Sequence, residues 1–194
     1  SADALAASRG WQARAVDTGM FRLITWAPTS FAADDALAIY IEGDGAAWPS
    51  RWRPPADPTP DGTLVFDMLL ADPAPKRAYL ARPCQYLDPQ VLADCPPESW
   101  TRDRFSDVAV AAMDAAVTAL KRASSASHLR LVGHSGGGVM AMLLAARRED
   151  VAQVITVAAP LRLGAWTALH GLSPLQGTDP DTLGRRWPSA VHFA

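Results

Sequence analysis

Short apolar runs alternate along the chain with longer stretches in which apolar residues recur every three or four positions. Met20–Trp26, Leu37–Ile41, Arg77–Ala81, Leu129–Val132, Val154–Val157 and Ala190–Phe193 are short, bounded by Gly, Pro or polar residues, and predict strands. Between Ser106 and Ala123, Val110, Met113, Val117 and Leu120 fall on one stripe, with Asp107 in the first turn and Lys121 and Arg122 in the last. That is an amphipathic helix whose charges suit its dipole. A second helix is predicted over Gly136–Arg148, Gly-rich at its start and then apolar nearly all round, as a helix pressed onto a sheet would be. The alternation predicts an α/β fold, a mostly parallel central sheet with helices on both faces, spanning 1–194 as a single domain. Ala46–Asp61 and Pro83–Trp100 interrupt it with nine prolines and three tryptophans between them, and are expected to be long loops of functional weight.

Composition narrows the functional classes. The 194 residues carry 18 Lys and Arg against 20 Asp and Glu, a net charge of −2, which gives no reason to expect a nucleic-acid partner. No apolar run approaches the roughly eighteen residues of a membrane span, so a soluble protein is expected. The chain starts Ser1-Ala2-Asp3-Ala4 with neither an initiator Met nor a basic-then-apolar leader, so any export signal is expected to have been removed. Cys84 and Cys95 lie in one Pro-rich stretch, close enough in sequence to pair, and read as a disulfide. A loop of that size would stabilise the fold by roughly 3 kcal/mol, which points to a periplasmic or secreted protein; two free thiols in a cytosolic protein are the alternative. Two cysteines without a nearby histidine make half of a tetrahedral shell, so neither a metal nor a cofactor is expected.

Candidate chemistry is concentrated in Leu129-Arg-Leu-Val-Gly-His-Ser-Gly-Gly-Gly-Val139, a strand, a tight turn and a helix start. The turn, Gly133-His134-Ser135-Gly136-Gly137, fits G-x-S-x-G, in which a strained serine projects its hydroxyl above the sheet edge and flanking glycines remove colliding side chains. Free N–H groups at the helix start then face the point where negative charge develops, and Gly136 N–H is the natural first oxyanion donor. A phosphate loop is excluded, because the Gly-Lys-Ser/Thr ending and the G-x-G-x-x-G spacing are both missing. Upstream, Leu37-Ala-Ile-Tyr-Ile41 runs into Glu42-Gly43-Asp44-Gly45, where the backbone N–H of Asp44 is the candidate second donor. The Asp44 carboxylate is expected to turn away from the anion.

On these residues the chain resembles the α/β-hydrolase family, particularly small exported bacterial esterases and lipases that join a Tyr-Ile-Glu-Gly-Asp-Gly segment to a Gly-His-Ser-Gly-Gly elbow. Here Glu42 stands where that loop often carries His. The resemblance implies Ser135 as nucleophile, with Gly136 and Asp44 as oxyanion donors, acting on a small-molecule ester. It also implies a triad in the order Ser, acid, His. Ser135 counts as following the fifth strand, with Val154–Val157 the sixth and Ala190–Phe193 the seventh. The family positions of acid and His then fall beyond Ala194, and these groups are expected from outside this chain, for example from a second chain.

Substitutes within the chain are poor. His192 alternates along a short strand, His170 closes a helix, His134 should diverge from the serine, and His128 opens its strand at the far edge. Asp179, Asp181, Glu149 and Asp150 are the remaining downstream carboxylates. The leading expectation is a serine hydrolase of carboxylic esters, with Trp48 and Trp52 walling the pocket. The alternatives are a catalytically silent α/β-hydrolase-like binding or scaffold protein, and an incomplete chain that associates along its last strand.

Overall fold

The computed structural model describes residues 2–46, 48–50 and 52–184, together with the backbone of 191–193. In chain order the elements are α1 (Ala2–Ser8), β1 (Trp11–Asp17), β2 (Arg22–Pro28), β3 (Ala36–Ile41), α2 (Leu64–Ala71), β4 (Arg77–Leu80), α3 (Pro89–Leu92), α4 (Asp107–Ser124), β5 (His128–His134), α5 (Gly136–Ala145), β6 (Val151–Val157), α6 (Leu163–Leu169) and β7 (Val191–Phe193). The strands form one sheet in the order β1-β2-β4-β3-β5-β6-β7, antiparallel at β1-β2 and β2-β4 and parallel from β4 to β7. This is the mixed, mostly parallel α/β sheet that the alternation of patterns predicts.

One face of the sheet is packed by α4 and α5, whose Val110, Met113, Val117, Val139 and Leu144 join Leu37, Ile39, Leu129 and Leu131 in a buried cluster. The other is covered by α1 and α2, where Phe66 and Leu69 meet Trp26, Tyr40, Tyr79 and Val132. Every residue of α5 is buried, which explains its lack of a polar stripe. The helix stops at Ala145 and not at Arg148. The guanidinium of Arg148 forms ion pairs with Asp114 (2.6 Å) and Asp150 (2.8 Å) and donates to the Thr118 hydroxyl (2.9 Å), tying the segment after α5 to α4.

Ser106 caps α4 by accepting from the Ala109 N–H, and Ser125 ends it in the left-handed region (φ 55°). The buried Lys76 ammonium donates to the carbonyls of Ser124 (2.6 Å) and Asp34 (2.7 Å), a cation placed at the helix's negative end. Strand β1 escaped the sequence pattern because most of its residues are exposed; as an outer strand it presents only Trp11 and Val16 inward. The stretch 83–100 is irregular apart from α3 and a 3₁₀ turn at Pro97–Trp100, and is closed by the Cys84–Cys95 disulfide.

Candidate active site

Strand β5 delivers the chain to Ser135, which adopts φ 51°, ψ −123°, a conformation non-glycine residues rarely take and one that stores roughly 1–3 kcal/mol of strain. Surrounding bonds hold it there. The Ser135 N–H donates to the Val157 carbonyl at the end of β6 (2.8 Å), and the Ser135 carbonyl accepts from Gly138 N–H (2.9 Å) as α5 begins. The serine is half-buried, neither in the core nor fully in solvent. Close approach dictates the flanking glycines. A Cβ on Gly137 would lie 2.6 Å from the Glu42 carbonyl oxygen and nearer still to that of Ile41, and one on Gly133 would collide with the Gly137 carbonyl. The first turn of α5 therefore seats directly on the end of β3, bringing the 42–45 turn to the serine.

That turn is held by its neighbours. Gly45 has φ +92°, a conformation open to glycine, and packs on the Pro58 carbonyl. The buried Glu42 carboxyl accepts from Gly43 N–H (2.8 Å) and from the Tyr79 hydroxyl, which lies 3.1 Å from the Tyr86 hydroxyl. Burial raises the Glu42 pKa above its ordinary value against the opposing pull of those bonds, and burial likewise pushes Tyr86 up to about 12. Gln85 donates to the carbonyls of Gly43 (3.1 Å) and Pro58 (3.3 Å) and accepts from Arg82 N–H (2.9 Å). Cys84 and Tyr86 on either side of it have φ 70° and 58°, so the disulfide-closed segment is itself bent sharply to reach the turn.

Among the described residues, neither the Gly136 nor the Asp44 backbone N–H is taken up by a hydrogen bond. The Asp44 carboxylate lies against the start of α5. It packs on Gly136, where a Cβ would lie 2.8 Å from Oδ2 and closer to Oδ1. It is tolerated there because two guanidinium groups hold it: Arg82 at 3.4 Å and Arg104 at 3.2 Å. Arg82 in turn donates to the Arg104 carbonyl (2.7 Å).

Sequence comparison finds no matching family model and no matching curated protein. Solved structures do match. The proline iminopeptidase-related protein of Thermus thermophilus is 19% identical, with TM-score 0.52 over 91% of this chain and 56% of its own. The proline iminopeptidase of Mycobacterium smegmatis is 18% identical, with TM-score 0.52 over 82% and 48%. The Pyrococcus furiosus esterase Pf2001 is 15% identical, with TM-score 0.53 over 83% and 53%. The chain has the α/β-hydrolase fold. It spans about half the length of these matched structures.

Within this α/β-hydrolase fold, the structure brings Ser135, Gly136 and Asp44 together. Among the described residues, no histidine side chain is hydrogen-bonded to the serine hydroxyl. His134 turns its Nδ1 toward Gly43, His170 caps α6 with its ring tilted against Trp166 (centroids 5.1 Å apart), and His128 opens β5 beside the Ser127 hydroxyl. Asp179 is spent on the N–H groups of Leu163 and Gly164, and Asp181 pairs with Arg162. Glu149 lies just past the end of α5, and Asp150 is committed to Arg148 and Lys121. The strand position of His192 is described in β7, and its side chain lies outside the described residues. Sequence reasoning missed Arg82, Gln85, Arg104 and Tyr79. The available signal was polar residues bracketing the first cysteine in Arg82-Pro-Cys-Gln-Tyr86.

Trp48 and Trp52 are exposed and line a cavity of about 630 Å³ with Trp166, Arg104, Leu172 and Leu175. Among the described residues, no helix is long and apolar enough to cross a membrane.

Proposed function

We propose that this chain carries the nucleophile and the oxyanion donors of a serine hydrolase acting on carboxylic esters. The observation that carries the reading is the conformation of Ser135, a half-buried serine at φ 51° heading a buried helix. Strain of this kind persists only where surrounding structure enforces it. In the reaction, Ser135 Oγ attacks the ester carbonyl and the tetrahedral anion is held by the N–H groups of Gly136 and Asp44. Collapse of that anion expels the alcohol and leaves an acyl-serine, which water then hydrolyses. A histidine from outside the described residues, in a second chain or a further segment, takes the serine proton and returns it to the leaving alcohol, while an acid holds the imidazole in place and stays ionised.

A fluorophosphonate probe tests the proposal: Ser135 is expected to gain the adduct mass, and Ser135→Ala to gain none. Absence of adduct, with the chain alone and with any co-purifying polypeptide, overturns it. A second reading, a catalytically silent binding protein of the same fold, is favoured by the lack of a histidine bonded to Ser135 among the described residues. The disulfide supports a periplasmic or secreted location, checked by alkylating the native protein and finding both cysteines protected.

A further inference from the structure

The Arg82–Asp44–Arg104 cluster does not balance. Two guanidinium groups, 4% and 11% exposed, face a single carboxylate, which leaves one positive charge in surroundings largely stripped of water. The Glu42 carboxyl is engaged by the Tyr79 hydroxyl and the Gly43 N–H, and among the described residues it forms no ion pair with either arginine. Arg102 and Asp103 form a separate, mutually neutralising pair at the surface.

Arg104 also occupies the wall of the tryptophan-lined cavity. Its Nε faces Asp44, its Nη1 donates to the Thr101 carbonyl (3.1 Å), and its Nη2 has no hydrogen-bond partner among the described residues. The guanidinium lies over the Trp166 ring at 5.9 Å and the Phe105 ring at 5.5 Å. With Nε on Asp44 and Nη1 on Thr101, Nη2 is the donor left for a carboxylate or phosphate oxygen, a role suited to arginine. The cavity falls in the size range of small-molecule sites, mostly apolar with few placed polar groups. Asp44 links it to the elbow, one face of its carboxylate on Arg104 and another on Gly136. Asp44 is thus the one side chain that touches both Arg104 and the residue next to Ser135.

Building on the hydrolase reading, we propose that this cavity selects esters that combine an apolar or aromatic body with a negatively charged group, the charge received by Arg104 and the body by Trp48, Trp52 and Trp166.

The tryptophans provide the readout. In the full chain carrying Ser135→Ala, intrinsic fluorescence is titrated with 4-phenylbutyrate and with the isosteric neutral 4-phenylbutyramide. The acid is expected to bind about tenfold more tightly than the amide, with the preference shrinking as NaCl is raised. Adding Arg104→Gln is expected to bring the two affinities within about threefold, whereas Arg104→Lys, which keeps the charge and loses the planar guanidinium, is expected to retain only part of the difference. Equal affinities, no saturable change with either probe, or a preference indifferent to salt overturns the proposal. The acid-amide comparison and its salt dependence need no substitution at Arg104, so they stand even if that variant fails to fold. Fluorophosphonate labelling of the unsubstituted chain separates the two proposals. A labelled serine with no acid preference removes the anion site alone, and an acid preference with an unlabelled serine removes the hydrolase alone.

Discussion

Replacing Gly137 with alanine tests whether the elbow and the 42–45 turn form one packed unit. The added Cβ would meet the Glu42 carbonyl oxygen at 2.6 Å, with the Ile41 oxygen closer. An ordinary carbon–oxygen contact is about 3.5 Å, so the helix start and the strand end must part by about 0.9 Å to clear the Glu42 oxygen and by more to clear that of Ile41. Both obstacles are backbone at the end of a central strand, which cannot swing aside as a side-chain tip can. Overpacking costs about 1–3 kcal/mol, a clash with two backbone carbonyls falls in the upper half of that range, and alanine's better helix propensity returns about 1 kcal/mol, leaving a net loss of about 1–2 kcal/mol. For a domain of this size the melting temperature should fall by about 2–8 °C. The same displacement moves Ser135 relative to the Asp44 N–H, and an ångström of misplacement costs about 100-fold in rate. Thermal unfolding and the second-order rate of fluorophosphonate labelling measure both effects. Gly62→Ala is the control, since nothing lies within 4 Å of its added carbon. A Gly137→Ala protein that melts within about 1 °C of the parent and labels at the parent's rate would refute the reasoning.

Three further outcomes are expected. Burial raises the Glu42 pKa above 4.5, so between that value and the folded one the native chain keeps a proton that the unfolded chain has lost, and stability falls as pH rises through the window. Glu42→Gln removes this decline; urea midpoints from about pH 4 to about pH 8 should shift steadily in the variant's favour, and a constant difference would count against it. Asp150 behaves oppositely: hydrogen bonding from Arg148, with help from Lys121, lowers its pKa to about 2, so its contribution is present above 3.8 and fades as pH falls toward about 2. Asp150→Asn should be less stable than the parent at neutral pH and lose that disadvantage in acid, as read by circular dichroism. Converting Cys84 and Cys95 together to serine should cost roughly 3 kcal/mol in chemical denaturation and slow Ser135 labelling, because Arg82 and Gln85 lose their anchor.

Elements with a strong inner face were legible from the sequence. The stripe of α4 and the apolar runs of β3, β5 and β6 reflect burial, which composition records directly. Strand β1 was not, since an outer strand with mostly exposed residues has no such signature. Helix α2 was hidden for the opposite reason, its Leu64-Val-Phe-Asp-Met-Leu-Leu-Ala71 being too uniformly apolar to show a period. The elbow could be read because its chemistry is local: a serine between glycines with a strand before and a helix after. The Asp44 clamp could not, because Arg82 and Arg104 lie 38 and 60 residues from it and meet it only through the fold.

The ties from Arg82 to Asp44, from Gln85 to Gly43 and from Tyr86 through Tyr79 to Glu42 mean that two segments forty residues apart work as a single part. Transplanting Glu42–Gly45 onto another scaffold would carry over a shape without its mould. The transferable module is that turn together with Arg82–Tyr86 and the sulfur bond behind it, and drift at either segment should be answered by compensating change at the other.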